Sequence, residues 1–445
     1  MCTEVNNQLF DGKHIMLTKE DFIISSLGDR TIPSPVTGQK FVRDDESVTY
    51  FMEPAEINSY LEAGKAVPSF ERAGAREMIF HNPSWCRAAI LTAGGLCPGL
   101  NEVIKFLTLC LIRNYGVRDI YGIPYGYRGL NPARQLRPIK LTEDVVDPIH
   151  EIGGSILGSS RGQEDVKVIV DSLKQLGINL LFCIGGDGTS RCAHEVAEEI
   201  SRRHLPISVV AIPKTIDNDI SFVDRTFGFA TAVREAGRFV SCAHNEAKGA
   251  YNGLGLIKVM GRDSGFIAAY AALANPFINY CLIPEEPFSL YGENNTRALL
   301  PHLLERMNRK HHAVIIVAEG AGQNLFAHSD RKKDASGNIL HEDIGILLKN
   351  EISAYFKEQK VELNMKYFDP GYTIRSVSAE GDDAVFCAML AQSAAHAAMA
   401  GKTDVMVGHW GGEFTHVPIK LATGQRKKID LHTPLWSCVK LLTSF

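Results

Sequence analysis

Apolar and polar positions fall into two regimes along the chain. Up to residue 85, polar turns (Asn6-Asn7, Gly28-Asp29, Pro33-Ser34-Pro35) interrupt short apolar pieces such as Phe22-Ile23-Ile24. No strand–helix rhythm emerges there, which predicts an N-terminal extension, residues 1–85, packed on the main body. From residue 86 the pattern becomes regular. Residues 86–92 form a short apolar run with a small-residue exit, Ala93-Gly94-Gly95. Leu100, Val103, Ile104, Leu107 and Leu111 then recur at helical spacing and predict an amphipathic helix over 100–114. Further strands are predicted at 119–124, 180–184, 207–213, 254–260, 280–284, 313–318 and 403–407. Helices are predicted at 191–203, 265–273, 344–358 and 382–400.

Strands that are apolar throughout are buried on both faces, which is the mark of parallel sheets covered by helices. The strand–helix units are too many for one sheet. The predicted fold class is therefore α/β: two doubly wound, Rossmann-like parallel-sheet domains facing a cleft. No repeat of fixed period appears.

Composition narrows the function classes. Hydrophobic residues make up 45% and charged residues 22%, as in an ordinary globular protein. Lys and Arg number 47 against 51 Asp and Glu, a net charge of −4. That balance argues against sequence-independent nucleic-acid binding, which needs a basic face. A few local cations still suffice for an anionic ligand. The 10 cysteines are scattered with no C-x-x-C pair, so reduced thiols are expected and zinc is not. His311 and His312 are adjacent, but neighbours in a strand would point to opposite faces, so no metal pair is expected. The N-terminus lacks the basic and apolar regions of a signal peptide. Residues 264–284 carry no charge, yet Asn275-Pro276, Asn279 and Pro284 break them into a buried helix, a turn and a strand rather than a membrane span. The terminal Leu-Thr-Ser-Phe is no peroxisomal tripeptide. The cytoplasm is the expected location. The charge run Asp330-Arg331-Lys332-Lys333-Asp334, within the polar stretch 324–342, reads as a solvated loop.

The densest chemistry lies at predicted strand ends, where open α/β sheets bind their ligands. Gly185-Gly186-Asp187-Gly188-Thr189-Ser190 follows an apolar strand and opens a helix. Glycines let backbone N–H groups approach phosphate oxygens, and the helix N-terminus favours negative charge. A carboxylate in such a cradle is repelled unless it holds a cation, and Mg²⁺ bridging Asp187 to phosphates resolves the conflict. A tight turn with Asp187 as helix cap is the structural alternative. Pro213-Lys214-Thr215-Ile216-Asp217-Asn218-Asp219 ends the next strand. Its two carboxylates would share a face in an extended segment, and Lys214 would favour their ionised forms. An ionised Asp can take a proton from a substrate hydroxyl, whereas a solvated Asp/Asn turn is the plain alternative. Ala93–Gly99 and the small-residue loop 153–162, which ends in Arg161-Gly162, suit phosphate contacts or are ordinary loops. Met260-Gly261-Arg262, Glu319 and Tyr372-Thr373-Ile374-Arg375 add two arginines and a carboxylate, groups that hold a phosphorylated, hydroxylated sugar.

Taken in order, Thr92-Ala93-Gly94-Gly95, Gly185–Thr189, Pro213–Asp219, Met260-Gly261-Arg262 and Ala318-Glu319-Gly320 resemble the 6-phosphofructokinase family, from about residue 86 to the C-terminus. Gly-Gly-Asp-Gly-Thr alone is shared with NAD kinases and diacylglycerol kinases. The resemblance implies an ATP site of Gly94, Arg161, Gly162, Gly186, Asp187, Gly188 and Thr189, with Asp187 the Mg²⁺ ligand. It implies a fructose 6-phosphate site of Thr215, Ile216, Asp217, Met260, Gly261, Arg262, Glu319, Tyr372, Thr373, Ile374 and Arg375, with Asp217 the base. It implies an ATP/Mg-binding domain over 86–230 plus 376–430 and a sugar-phosphate domain over 231–375 plus 431–445. It also implies a homotetramer whose substrate contacts partly cross between subunits, with neither nucleic acid nor membrane as partner.

Departures locate the chain within that family. Simple bacterial members have Gly where this chain has Lys214, and His where it has Tyr372. Lys366 stands where they use an arginine, and a further substrate arginine would fall on Gly253. Lys214 and Tyr-Thr-Ile-Arg resemble the pyrophosphate-related branch that includes trypanosomatid and plant enzymes. Pyrophosphate users there carry Gly-Gly-Asp-Asp, whose second Asp would clash with the nucleotide α-phosphate. Gly188 leaves that space open, so ATP is the expected donor. Gly188 and Lys214 are the residues expected to set donor choice. The competing readings are a pyrophosphate-dependent phosphofructokinase, an NAD kinase and a non-catalytic nucleotide-sensing subunit. The last need not keep Asp187, Asp217 and Arg262.

Overall fold

The computed structural model describes residues 17–162, 164–292, 298–326 and 340–443. The charge run at 330–334 lies outside them. Two sheets dominate. The larger has nine strands in the spatial order Ser47–Thr49, Ser69–Arg72, Glu413–Pro418, Val405–Trp410, Ser208–Pro213, Leu180–Gly185, Arg87–Ala93, Asp119–Ile123 and Ile139–Lys140. Its centre, from Val405–Trp410 to Asp119–Ile123, is parallel. The smaller sheet is wholly parallel, in the order Tyr280–Leu282, His312–Ala318, Gly253–Val259, Asn364–Phe368.

The continuous apolar runs are explained by burial on both faces. In the larger sheet Ile90, Phe182 and Ile212 point into one core, while Leu91, Cys183 and Ala211 point into another. In the smaller sheet Ile257 and Ile316 serve one core and Leu256 and Ile315 the other. The amphipathic helix Leu100–Arg113 turns its apolar face to the first core and packs along Gly381–Met399. Helix Phe229–Gly249 packs instead on Gly253–Val259 of the smaller sheet, as helix Pro434–Leu442 packs on Phe266–Ala274.

Several elements differ from the sequence reading. Part of residues 17–85 is built into the large sheet rather than merely resting on it. Ser69–Arg72 pairs with Glu413–Pro418 and Ser47–Thr49 with Ser69–Arg72, while Ser25–Ser26 pairs with Lys402–Thr403 in a separate two-stranded sheet. Strands of two to four residues are too short to show a period. Buried charges anchor the segment: Arg76 donates to Glu71 at 2.8 Å, as does Lys402, and His416 meets Glu71 at 3.1 Å. His311 is the left-handed cap of helix Leu299–Lys310 and contacts Asn252, so the adjacent histidines do not share a strand. Residues 264–284 do form a buried helix, Phe266–Ala274, then a turn and a strand, Tyr280–Leu282. Among the described residues every cysteine is free, and no helix is long and apolar enough to cross a membrane.

Candidate active site

In the larger sheet, strand order reverses between Arg87–Ala93 and Leu180–Gly185. Loops leaving the carboxyl ends of those two strands part in opposite directions and leave a crevice there. The motifs of the first half converge on it. Gly94 N–H donates to the Ser160 carbonyl at 3.0 Å, and the Ser159 hydroxyl donates to the Gly94 carbonyl at 2.6 Å. This stitching holds Arg161 and Gly162 beside Gly94, Gly186, Asp187, Gly188 and Thr189 along one cavity of about 250 Å³. A second cavity, of about 210 Å³, adjoins it and takes Thr215, Ile216, Asp217, Met260, Arg262, Glu319 and Arg375. Gly95, Arg161, Gly186, Asp187, Lys214, Arg262 and Arg426 line both.

Asp187 does not cap the helix that it opens: Gly186 is the N-cap, and the Asp187 side chain pairs with Arg191 one turn on at 2.9 Å. Burial pushes the Asp187 carboxyl above its usual range. Among the described residues no three His, Cys, Asp or Glu side chains form a metal-sized cluster. Mg²⁺ in nucleotide sites asks for less, because one or two carboxylates hold it together with the phosphates. A half-buried carboxylate at a helix N-terminus, lining a phosphate-sized cavity, fits that requirement. Gly188 is open: an added Cβ would meet nothing within 4 Å.

The loop after Ser208–Pro213 is not extended. Asn218 takes a left-handed conformation (φ 54°), so Asp217 and Asp219 do not share a face. Asp219 accepts from the Thr215 hydroxyl at 2.6 Å and from Arg426 at 3.0 Å. Asp217 has one long contact, from the Arg262 N–H at 3.4 Å, and its other oxygen is sealed from solvent with no hydrogen-bond partner. Its carboxyl is pushed well above the ordinary range by burial first, then by Asp219 and Glu319. The solvated-turn alternative fails on this burial. Lys214 does not reverse the shift. It is buried, its Nζ donates to the Gly95 carbonyl at 2.6 Å, and burial pushes its pKa down.

On the far wall, Glu319 leaves the end of His312–Ala318 and Arg262 follows Gly253–Val259. Burial raises the Glu319 carboxyl, against Arg262, Lys258 and Arg375. Gly261 (φ 124°) lies under the wall, where a Cβ would meet the Ser264 carbonyl at 2.5 Å. The Tyr-Thr-Ile-Arg run divides. Arg375 lines the cavity, whereas Ile374 is fully buried in the smaller sheet's core. Tyr372 is 74% exposed and stacks under the Arg375 guanidinium at 4.4 Å, and Thr373 faces solvent. Lys366 opens onto a different groove with Cys242, Glu246 and Lys349. Gly253 can carry no side chain, since a Cβ would lie 1.9 Å from the Ala247 carbonyl. The sequence reading missed Arg426. Its only signal was the basic run Arg426-Lys427-Lys428, which follows no strand end and shows no period.

The Phosphofructokinase family profile matches residues 87–398. The ATP-dependent 6-phosphofructokinase of Borreliella burgdorferi is 50% identical over 372 residues, covering 82% of this chain and 83% of that protein. The ATP-dependent 6-phosphofructokinase of Trypanosoma brucei brucei is 41% identical, covering 99% of this chain and 91% of that protein. The chloroplastic ATP-dependent 6-phosphofructokinase 5 of Arabidopsis thaliana is 46% identical, covering 82% and 67%. Among solved structures, the pyrophosphate-dependent phosphofructokinase of Nitrosospira multiformis matches with a TM-score of 0.65 at 18% identity, covering 80% of this chain and 91% of that one. At that identity the likeness concerns the fold alone.

Proposed function

As a member of the phosphofructokinase family that phosphorylates D-fructose 6-phosphate with ATP, this chain holds its substrates, we propose, in the two adjoining cavities, with Asp217 as the base. The reading is supported chiefly by the Asp217 carboxyl. It lines the acceptor-side cavity, which adjoins the donor-side one, with one oxygen unpartnered. Its affinity for protons is raised by burial and by two neighbouring carboxylates. A carboxylate so placed is a stronger base than an exposed one, and its pKa moves toward the working pH.

The sugar 1-oxygen forms a bond to the γ-phosphorus while its proton passes to Asp217. The bond from that phosphorus to the β–γ bridging oxygen breaks, and ADP leaves with the electron pair. Transfer of this kind rests on positioning and charge neutralisation. Arg161, the backbone of Gly94 and the Gly186–Thr189 turn face the donor phosphates. Arg262 and Arg375 orient the sugar phosphate, and Glu319 the sugar hydroxyls. Asp187 would hold Mg²⁺, which neutralises phosphate charge when bound.

We place the donor-binding domain at 86–230 plus 376–430 and the sugar-phosphate domain at 231–375 plus 431–445. We further assign a cytoplasmic homotetramer, in which Lys366, away from this chain's cleft, would face another subunit. Tyr372 steadies Arg375 by stacking on its guanidinium. The test of the central role is Asp217→Ser, with an expected fall in kcat of about 10²–10⁴ and little change in KM. A folded variant with near-normal turnover would remove Asp217 from the mechanism.

A further inference from the structure

Residues 424–430 cross the mouth of the cleft as a strap after the short helix Ile419–Ala422. The strap is fixed at Arg426 and just after it. Arg426 bridges Ile220 in antiparallel register, and the Lys427 N–H donates to the Asp219 carbonyl at 2.9 Å. The Lys427 Nζ donates to the Val223 carbonyl at 2.9 Å. The Ile429 N–H then donates to Glu285, on the other lobe, at 2.9 Å. Backbone held this firmly aims one side chain inward. The Arg426 guanidinium lies 3.0 Å from Asp219, 2.6 Å from Asp263 and 3.7 Å from Asp187. It lines the donor-side and the acceptor-side cavities alike.

From this geometry we infer that Arg426 is a further catalytic residue, which contacts the phosphoryl group as it passes from donor to sugar. The inference rests on the placement of donor and base proposed above. A phosphoryl group in transit must pass between Asp187, on the donor side, and Asp217, on the sugar side. Arg426 reaches Asp187 and lines both the donor-side cavity and the cavity that holds Asp217. Asp219 and Asp263 are positioning residues, which hold the guanidinium plane by its own donors. An arginine suits the task because its planar fork matches phosphate oxygens and stays charged. A pre-aimed cation needs no reorganisation when charge develops. Its link to Asp187 is the longest of the three, so a phosphate arriving beside Asp187 can replace that contact without moving the strap.

The test compares Arg426→Lys and Arg426→Ala with the wild type. Turnover and the binding of Mg-ADP are measured with and without aluminium fluoride and fructose 6-phosphate, a mimic of the group in transfer. Arg426→Ala should lower kcat by about 10²–10³. The KM for fructose 6-phosphate should change far less. The fluoride complex should weaken with kcat, whereas Mg-ADP alone should bind nearly as before. Arg426→Lys, which keeps the charge and the fold, should recover only part of the loss. Turnover within about threefold of wild type in Arg426→Ala would overturn the inference. So would a loss shared equally by Mg-ADP binding, since that marks a structural strut. If Asp217→Ser also kept its turnover, the placement of the base would fail, and this assignment with it. An indifferent Arg426→Ala beside an inactive Asp217→Ser overturns the assignment alone.

Discussion

Gly188→Asp tests whether donor choice is set by space and charge at one position of the phosphate cradle. An added Cβ at residue 188 meets nothing within 4 Å, so the ligand-free protein accepts the side chain. Residue 188 lies in the first turn of helix Asp187–Arg202. A carboxylate there interacts favourably with the helix dipole, by about 0.3–1 kcal/mol. The melting temperature should therefore stay level or rise slightly. The family resemblance puts the nucleotide α-phosphate in that space. Two unit charges at about 4 Å and an effective dielectric of 20 repel by on the order of 4 kcal/mol. That corresponds to roughly three decades in kcat/KM for ATP, less what a bound cation screens. Pyrophosphate has no group in that space and escapes the penalty, and Lys214 stands near enough to the cradle to meet one of its oxygens. The assay is kcat/KM for ATP and for pyrophosphate on wild type and variant, with thermal melts of both. ATP use should collapse while pyrophosphate use holds or appears. An unchanged ATP constant in a folded variant would refute the steric and electrostatic argument, and so would equal losses for both donors.

Asp187→Ala should abolish Mg²⁺-dependent turnover; a variant with wild-type activity and the same Mg²⁺ titration would assign the cation to another residue. Gly253→Ala forces a Cβ to within 1.9 Å of the Ala247 carbonyl, so it should destabilise the fold by about 1–3 kcal/mol or more, read as a lower midpoint in urea. Acid should loosen the attachment of residues 17–85. His81 meets Ser208 at 3.0 Å and His396 meets Gln39 at 3.3 Å, and burial pushes each down to about 4. A depressed histidine resists protonation in the folded state, so stability present above pH 6.5 is lost as pH falls toward 4, by up to roughly 3 kcal/mol each. Urea midpoints at pH 7 and 4.5 measure it, and His81→Gln should flatten the difference.

The parallel core was legible in the sequence because it is buried on both faces, and an unbroken apolar run such as Leu180–Ile184 admits few other readings. What escaped was structure whose signal is not periodic along the chain. The edge strand Asn364–Phe368 is only half-buried and reads as mixed polarity. The hairpin partner Glu413–Pro418 is short, and the pieces that it recruits from residues 47–72 are shorter still. Helix Asp187–Arg202 begins four residues before the predicted start, because its first turn is the glycine-rich cradle itself. The site divided along the same line. Asp187, Asp217, Arg262 and Glu319 stand at strand ends, and the fold gathers strand ends without further instruction. Arg426 reaches the cleft on a strap anchored by backbone contacts to Asp219 and Ile220, far away in sequence, which no local pattern encodes.

Local rules are broken where the chemistry is. Asp187, Asp217 and Glu319 are each pushed toward the neutral form by burial, and Lys214 is pushed the same way from the other side. A fold selected for stability alone would solvate these groups or replace them with apolar ones. In the cleft they stand with incomplete partners, Asp217 most of all. In the proposed function, phosphates and a divalent cation would bring the missing charges, and substrates rather than the chain would complete the electrostatic arrangement. That makes the carboxylates a measure of occupancy. In the proposed function, Mg²⁺ held by Asp187 would make that carboxylate ionise more easily, whereas Asp217, as the proposed base, would keep its raised affinity for the sugar's proton. The proposed division of labour follows from where each would meet the incoming charge, since burial raises both carboxyls, Asp217 the more.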